Sequence, residues 1–478
     1  MQWLRTAMRL TLLLGGQDLP HALGQGRAAE CSGVVCDLLD DGVGAGAGAA
    51  DGLGLLQRKQ RKVVGEDKPS DKGAIRGPRG GAGWLSTPTE KLSVVEASNT
   101  MEKVNVVEAT NDSDATCNDG TPGVYYWSPA PSDGEPRSWL VFLEGGGWCW
   151  DAASCASRWG GSVSSAQYPS LQVNDKYGIL GSLSPVRGFN RVHIRQCSSD
   201  AWMGDIGGNA TSAGVNWRGA RILRATLRHL VEARGLAGGD FMLFGGASSG
   251  SRGAMVHLDT LQPQGWVPAG VKLLGFLDSP YWLDTPAFQD LTQVEHRSQE
   301  QTKQAVLNMQ NEAIVSGGGL CELDDVWKCA FGEYRLPILK TPFMLFSSQY
   351  DWLRLIIAQA ATVTPSACFP KPQCSYYDYA DSGANATRQK LFVLPQVIAG
   401  TSGVYSSTCY DHAMSIWKEF NLQRVLGVTM AESLSAALEA TGNPNGARMP
   451  VVVDASCGQF NCGSGCMKKF DSKCGCSA

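Results

Sequence analysis

Short apolar runs punctuate the middle of the chain at Trp139–Leu143, Arg191–Arg195, Phe241–Phe244, Leu273–Leu277 and Phe343–Phe346. Runs this brief, with little polar alternation, suit strands buried on both faces of a parallel sheet. Between the second and third, the period changes. From Gly219 to Arg234, residues Leu223, Thr226, Leu227, Leu230 and Val231 fall on one helical face, and Gly235 supplies a stop. Another helix is expected over Gln299–Val315 with Ser298 as N-cap. Thr429-Met430-Ala431-Glu432 reads as a capping box that opens a last helix ending near Gly442. Strand, helix and strand in alternation predict an α/β fold with a mostly parallel central sheet flanked by helices. Ligands of such sheets bind beyond the carboxyl ends of the strands.

The 478 residues leave room for appendages around one large domain. Arg5 and Arg9 precede Leu10-Thr11-Leu12-Leu13-Leu14, the layout of a secretory signal, expected over 1–26. Residues 27–112 are expected to be a linker. It is rich in Gly and Ala from Gly42 to Gly54, then basic from Arg58-Lys59-Gln60-Arg61-Lys62 through Lys68, Lys72, Arg76 and Arg79. The basic run is read as solvated chain rather than a processing site or an anionic-surface contact. Order is expected to begin near Cys117, in a catalytic domain over 113–455. A tail over 456–478 holds Cys457, Cys462, Cys466, Cys474 and Cys476. No histidine follows His412, so the tail lacks a zinc-finger pattern and is read as structural, with no metal.

A net charge of −4, with 43% hydrophobic and 18% charged residues, sets nucleic acid aside as a partner. No apolar stretch reaches the roughly eighteen residues a membrane span needs, so stable membrane insertion is not expected. The 16 cysteines fall in groups such as Cys149/Cys155, Cys321/Cys329 and Cys368/Cys374, which suits disulfide-stapled loops in an oxidising compartment. Glycosylation acceptors at Asn111, Asn209 and Asn385 point the same way, to a secreted or lumenal protein.

The strongest chemical signal is Gly246-Ala247-Ser248-Ser249-Gly250, set directly after the run Phe241–Phe244 and before a helical segment that continues toward Leu261. A G-x-S-x-G pentapeptide on a tight strand-to-helix turn projects the serine hydroxyl above the sheet, and the residue after it offers a backbone N–H to an oxyanion. Ser248 is therefore the candidate nucleophile and Ser249 a candidate oxyanion donor. Glu144-Gly145-Gly146-Gly147-Trp148 follows an earlier strand, so Gly146 and Gly147 are the further candidate donors. Of six histidines, His21 lies in the signal, His193 in a strand, His229 and His257 in helical patterns and His296 beside a helix start. His412 remains as general base, late and loop-borne. Asp351, after Phe343–Phe346, is the natural orienting carboxylate, with Asp278 as rival and Asp411 too close in sequence to His412 to support it.

These segments resemble the pectin acetylesterase and Notum family of α/β-hydrolases over roughly Cys117 to His412. Leu143-Glu144-Gly145-Gly146-Gly147-Trp148-Cys149 is similar to the oxyanion loop of the plant members, and Cys197-Ser198-Ser199-Asp200 to Notum. Asn190-Arg191-Val192, Trp217-Arg218-Gly219, Asp278-Ser279, Tyr350-Asp351 and the Cys409-x-x-His412 spacing also resemble family segments. The resemblance implies Ser248, Asp351 and His412 as the catalytic residues, Trp148, Trp282 and Phe331 in the substrate pocket, and disulfides Cys149 to Cys155 and Cys117 to Cys197. Two departures bear on substrate. Ser248-Ser249-Gly250-Ser251 stands where members often carry Ser-Ala-Gly-Gly, and Ala330 stands beside Phe331 where an aromatic pair would be expected.

Together these readings predict a serine carboxylesterase without cofactor, acting on O-acyl esters, foremost O-acetyl esters of an extracellular polysaccharide such as pectin. An acylated protein is the alternative substrate. A serine peptidase uses the same groups, and only the resemblance disfavours it. A non-catalytic carbohydrate binder using Trp148, Trp150, Trp159 and Trp202 is the reading from another class.

Overall fold

The computed structural model describes residues 99–158, 160–210, 214–284, 326–359, 374–443, 446–456, 462–463 and 465–467. The expected signal, most of the expected linker and the helix over 299–315 lie outside these residues. Ten strands form one sheet: β1 (Thr100–Asn105), β2 (Val124–Ser128), β3 (Glu135–Leu143), β4 (Leu171–Val173), β5 (Phe189–Ile194), β6 (Phe241–Ala247), β7 (Lys272–Asp278), β8 (Phe343–Phe346), β9 (Gly403–Ser406) and β12 (Val451–Val453). A separate ribbon pairs β10 (Arg424–Val425) with β11 (Val428–Thr429). The sheet order is β12-β9-β8-β7-β6-β3-β5-β2-β1-β4. From β12 to β5 every neighbouring pair is parallel, and β2, β1 and β4 close one edge antiparallel. This is the α/β architecture, mostly parallel, that the apolar runs predict.

Those runs are continuous because successive residues serve opposite faces of the sheet. Val141 and Leu143 of β3, Met242 and Phe244 of β6, Leu273 and Leu277 of β7, and Phe343 and Leu345 of β8 join one core. Leu140, Phe142, Leu243, Leu274, Phe276, Met344 and Phe346 join the other. Helix α1 (Gly219–Ala233) covers the first face with Ile222, Leu223, Leu227 and Leu230. It ends where the sequence indicates, with Arg234 as cap and Gly235 left-handed at φ 90°. Helix α2 (Ser249–His257) adds Met255 to the same face. On the second face lies α4 (Met430–Gly442) with Met430, Leu434 and Ala437. Its capping box is closed: Glu432 N–H donates to Thr429 Oγ1 at 3.1 Å, and Thr429 N–H to Glu432 Oε2 at 2.8 Å. Each fully buried large side chain contributes about 1.5–3 kcal/mol, so two such layers hold the sheet firmly.

One boundary differs from expectation. The expected linker, 27–112, overlaps the folded domain at its end, because β1 and the short helix Val106–Thr110 belong to that domain. The strand Thr100-Met101-Glu102-Lys103-Val104-Asn105 buries only Met101 fully, so its own hydrophobicity is slight. It is held by antiparallel pairing with β2 and β4. Non-local hydrogen bonding of this kind leaves little trace in a local apolar pattern.

Candidate active site

Strand β6 delivers Ser248 to the carboxyl edge of the sheet and α2 leaves it immediately, so the serine takes φ 55° and ψ −125°. Such a backbone costs on the order of 1–3 kcal/mol and persists only where its surroundings enforce it. Here the Ser248 N–H donates to the Asp278 carbonyl at 2.8 Å. The flanking glycines are needed for close approach: a Cβ on Gly246 would lie 2.6 Å from the Leu143 carbonyl oxygen, and one on Gly250 2.2 Å from it. The pentapeptide is thus packed against the end of β3, which feeds the glycine loop. A Cβ on Gly145 would in turn lie 2.4 Å from the Ala247 carbonyl oxygen.

Three side chains distant in sequence meet at this edge. His412 Nε2 lies 2.7 Å from Ser248 Oγ, and His412 Nδ1 lies 2.7 Å from Asp351 Oδ2. All three residues are buried. Asp351 follows β8 and precedes α3 (Trp352–Gln359), where its Oδ1 accepts the N–H groups of Leu353 at 3.0 Å and Arg354 at 3.1 Å. One oxygen therefore anchors the carboxylate and leaves the other for the imidazole. Trp352 stands edge-on to the His412 ring at 5.4 Å.

Asp278, the rival carboxylate, is near but committed elsewhere. Its Oδ2 accepts Ser415 N–H at 2.7 Å and its Oδ1 accepts the Ser279 hydroxyl at 2.9 Å, while Ser279 Oγ accepts Ala413 N–H at 3.0 Å. The pair clamps the loop that carries His412. Burial pushes the Asp278 carboxyl up, and the nearby His412 and Ser415 groups pull it back. Asp411 accepts Gln423 Nε2 at 2.8 Å. The loop is tied further by a disulfide between Cys409 and Cys466, which reaches into the cysteine-rich tail.

In the glycine loop, Gly146 and Gly147 take φ 155° and 72°. Arg158 Nη2 donates to the Gly146 carbonyl at 2.7 Å, and Gln196 Nε2 donates to the Gly147 carbonyl at 2.6 Å. In a trans peptide the N–H points opposite to the C=O, so the Arg158 bond turns the Gly147 amide away from Arg158. The Ser249 hydroxyl donates to Gln196 Oε1 at 2.8 Å, joining the elbow to the loop through one glutamine. Gln196 and Arg158 carry no signal in the sequence, Asp278 enters it as the rival carboxylate, and Ser279 enters only through the family-like segment Asp278-Ser279.

Behind the loop, disulfides join Cys149 to Cys155 and Cys117 to Cys197, as the resemblance implies. Cys329 and Cys462 are disulfide-bonded as well. Asp200, three residues after Cys197, accepts Gly219 N–H at 2.6 Å and Trp202 N–H at 2.9 Å, and burial raises its pKa to about 6. Trp148, Trp282 and Phe331 come together around the buried Arg252 guanidinium, which no sequence signal marks. Of the tryptophans considered for sugar binding, Trp148 and Trp202 are buried, Trp150 is half-buried and Trp159 lies outside the described residues. Asn111, Asn209 and Asn385 are exposed. Among the described residues no cluster of three potential metal ligands occurs, and no helix is long and apolar enough to cross a membrane.

Residues 95–457 match the family model described as Pectinacetylesterase. Palmitoleoyl-protein carboxylesterase NOTUM of Drosophila melanogaster is 28% identical over 346 residues, which cover 67% of this chain and 46% of that protein. Pectin acetylesterase 11 of Arabidopsis thaliana is 23% identical over 311 residues, covering 62% of this chain and 76% of that protein. The match thus spans less than half of the Drosophila relative. The solved structure of the Wnt deacylase Notum from Drosophila shares the fold with a TM-score of 0.62 at 23% identity, covering 77% of this chain and 100% of that one.

Proposed function

Because the chain belongs to the pectinacetylesterase family of carboxylic ester hydrolases, we propose that it cleaves O-acyl esters through an acyl-enzyme on Ser248, foremost O-acetyl esters of an extracellular polysaccharide such as pectin. The observation that carries this reading is the continuous hydrogen-bond chain from Ser248 through His412 to Asp351, 2.7 Å at each link. In this reading Ser248 Oγ attacks the acyl carbonyl while His412 Nε2 takes its proton. The Gly146, Gly147 and Ser249 amides receive the oxyanion, the alkoxide leaves with the proton from His412, and water repeats the sequence to release the acid. Asp351 holds the imidazole in the tautomer that needs Nδ1–H and stabilises the imidazolium without itself being protonated. The chemistry uses no metal or cofactor. The disulfides favour an oxidising compartment and hence a secreted protein. A second reading, removal of a fatty acyl group from a protein, is favoured by the named activity of the Drosophila relative.

Exposure of the folded protein to a fluorophosphonate probe, followed by peptide mass mapping, tests the reading. Labelling at Ser248 that is lost in Ser248→Ala is the expected result. Folded protein that remains unlabelled sinks it and returns the non-catalytic carbohydrate binder to first place.

A further inference from the structure

Arg252 lies one helical turn beyond Ser248, and its backbone N–H donates to the Ser248 carbonyl at 3.0 Å. The whole residue is only 2% exposed. Its guanidinium carbon stands 4.3 Å from the centre of the Trp148 ring, 4.4 Å from that of Trp282 and 5.7 Å from that of Phe331. Trp148 and Trp282 themselves meet at 5.5 Å. These rings come from three separate segments: the loop after β3, the segment after β7 and the stretch before Leu336. The same apolar cluster holds Met203, Val256, Trp327, Ala330 and Leu353. A set of large apolar side chains converging one turn from a nucleophile has the composition of a pocket for an acyl chain. Its centre, however, is filled by a planar cation.

We infer that Arg252 is the specificity-determining residue of this site, occupying the aromatic box beside Ser248 so that it accepts short acyl groups and turns away long ones. The inference rests on the esterase reading above. Stacking on aromatic faces is a favourable place for a guanidinium. Burial pulls the Arg252 pKa down only to about 9, which leaves the group charged at neutral pH. An alkyl chain entering the box would have to displace that charge or lie against it. Either route forfeits the gain of about fourfold in binding that each methylene earns on entering an apolar pocket. An acetyl group, with no methylene to place, loses nothing. Trp148, Trp282 and Phe331 can thus converge near the nucleophile without conferring a preference for fatty esters.

The test compares kcat/KM for p-nitrophenyl acetate and p-nitrophenyl octanoate in the full chain and in Arg252→Met and Arg252→Lys. The unaltered protein is expected to favour acetate. Arg252→Met, which keeps length and removes charge, should shift the octanoate-to-acetate ratio toward octanoate by at least about tenfold. Arg252→Lys keeps the charge and should stay within about threefold of the unaltered ratio, so a general loosening of the box is told apart from loss of the cation. An unchanged ratio in Arg252→Met overturns the inference alone, since turnover itself would persist. A preference for octanoate in the unaltered protein overturns it without any variant, should Arg252→Met fail to fold. No turnover of either ester and no fluorophosphonate labelling in folded protein overturns the esterase reading and this inference with it.

Discussion

Where α2 begins, Ser248, His412 and Asp351 form the polar side of the site, joined by hydrogen bonds; one turn further along the helix, Arg252 lies among aromatic rings that form its aromatic side. The polar side is directional. Asp351 is aimed by two backbone amides, and the His412 loop by Asp278 and Ser279. The aromatic side is held by area and by cation–π attraction, which tolerate sliding and substitution. In the proposed esterase, the first kind of constraint preserves reaction chemistry and the second can be retuned to change the acyl group. The comparison therefore predicts that damage to the polar side lowers rate for every ester, while damage to the aromatic side changes the ratio between esters.

The largest effect should come from the polar side. Ser248→Ala is expected to lower kcat for p-nitrophenyl acetate by about 10⁴-fold or more, with near-native thermal unfolding. Loss of less than tenfold would remove Ser248 from the chemistry. Next is the tether on the same loop. Cys409 and Cys466 close a loop with a sequence separation of 57, which the chain-entropy relation converts to about 4 kcal/mol of stability. The double variant Cys409→Ser, Cys466→Ser should therefore unfold several degrees lower. Because Cys409 is three residues before His412, turnover should fall before the global transition begins. Coincidence of the two transitions would show that the tail disulfide stabilises the whole domain without a special hold on the histidine loop.

A third perturbation acts on the helix both sides share. His257 closes α2, its Nε2 lies 2.8 Å from the Trp202 carbonyl, and Trp202 Nε1 donates to the Glu144 carbonyl at 3.0 Å, at the base of the glycine loop. Burial pulls the His257 pKa down from 6.5 to about 4. Between those values the unfolded chain takes up a proton that the folded protein refuses, so stability falls as pH drops from 6.5 to 4, by about 3 kcal/mol. Above pH 6.5 both states are neutral there and the contribution is flat. Urea unfolding across this range should show the loss in the unaltered protein and a smaller loss in His257→Gln. Parallel curves for the two proteins would assign the acid sensitivity to other groups.

What could be read in the sequence follows from the range of the forces involved. The elbow at Ser248 was legible because its glycines are required within a few residues by the close approach to the Leu143 carbonyl. Asp351 was legible because it sits just past a strand that the apolar runs mark, and His412 because the other five histidines fall in signal, strand or helix patterns. β1 was missed because it is held by partners in β2 and β4 rather than by its own composition. Arg252 was missed for a related reason. A lone arginine on a helix is ordinarily solvated, and only the convergence of Trp148, Trp282 and Phe331 from distant segments makes it a buried one. The Cys409 to Cys466 link joined cysteines that local grouping had kept apart.

The smallest predicted effect is the sharpest probe of the comparison. Ser279 sits at φ 64°, donates to Asp278 Oδ1 and accepts the Ala413 N–H, the amide directly after His412. Ser279→Ala leaves that buried N–H without its acceptor, a cost of about 1–3 kcal/mol that folding and the loop geometry share. If Ser279 positions the histidine, kcat should fall about tenfold for acetate and octanoate alike, with KM for each within about twofold of the unaltered protein. A purely structural role would lower the unfolding temperature while leaving kcat intact at temperatures well below it. A changed ratio between the two esters would instead mean that the polar clamp and the aromatic box are coupled through β7, because Ser279 and Trp282 leave the same strand three residues apart. Equal loss on both esters would show that rate and acyl preference are set by separate parts of one site.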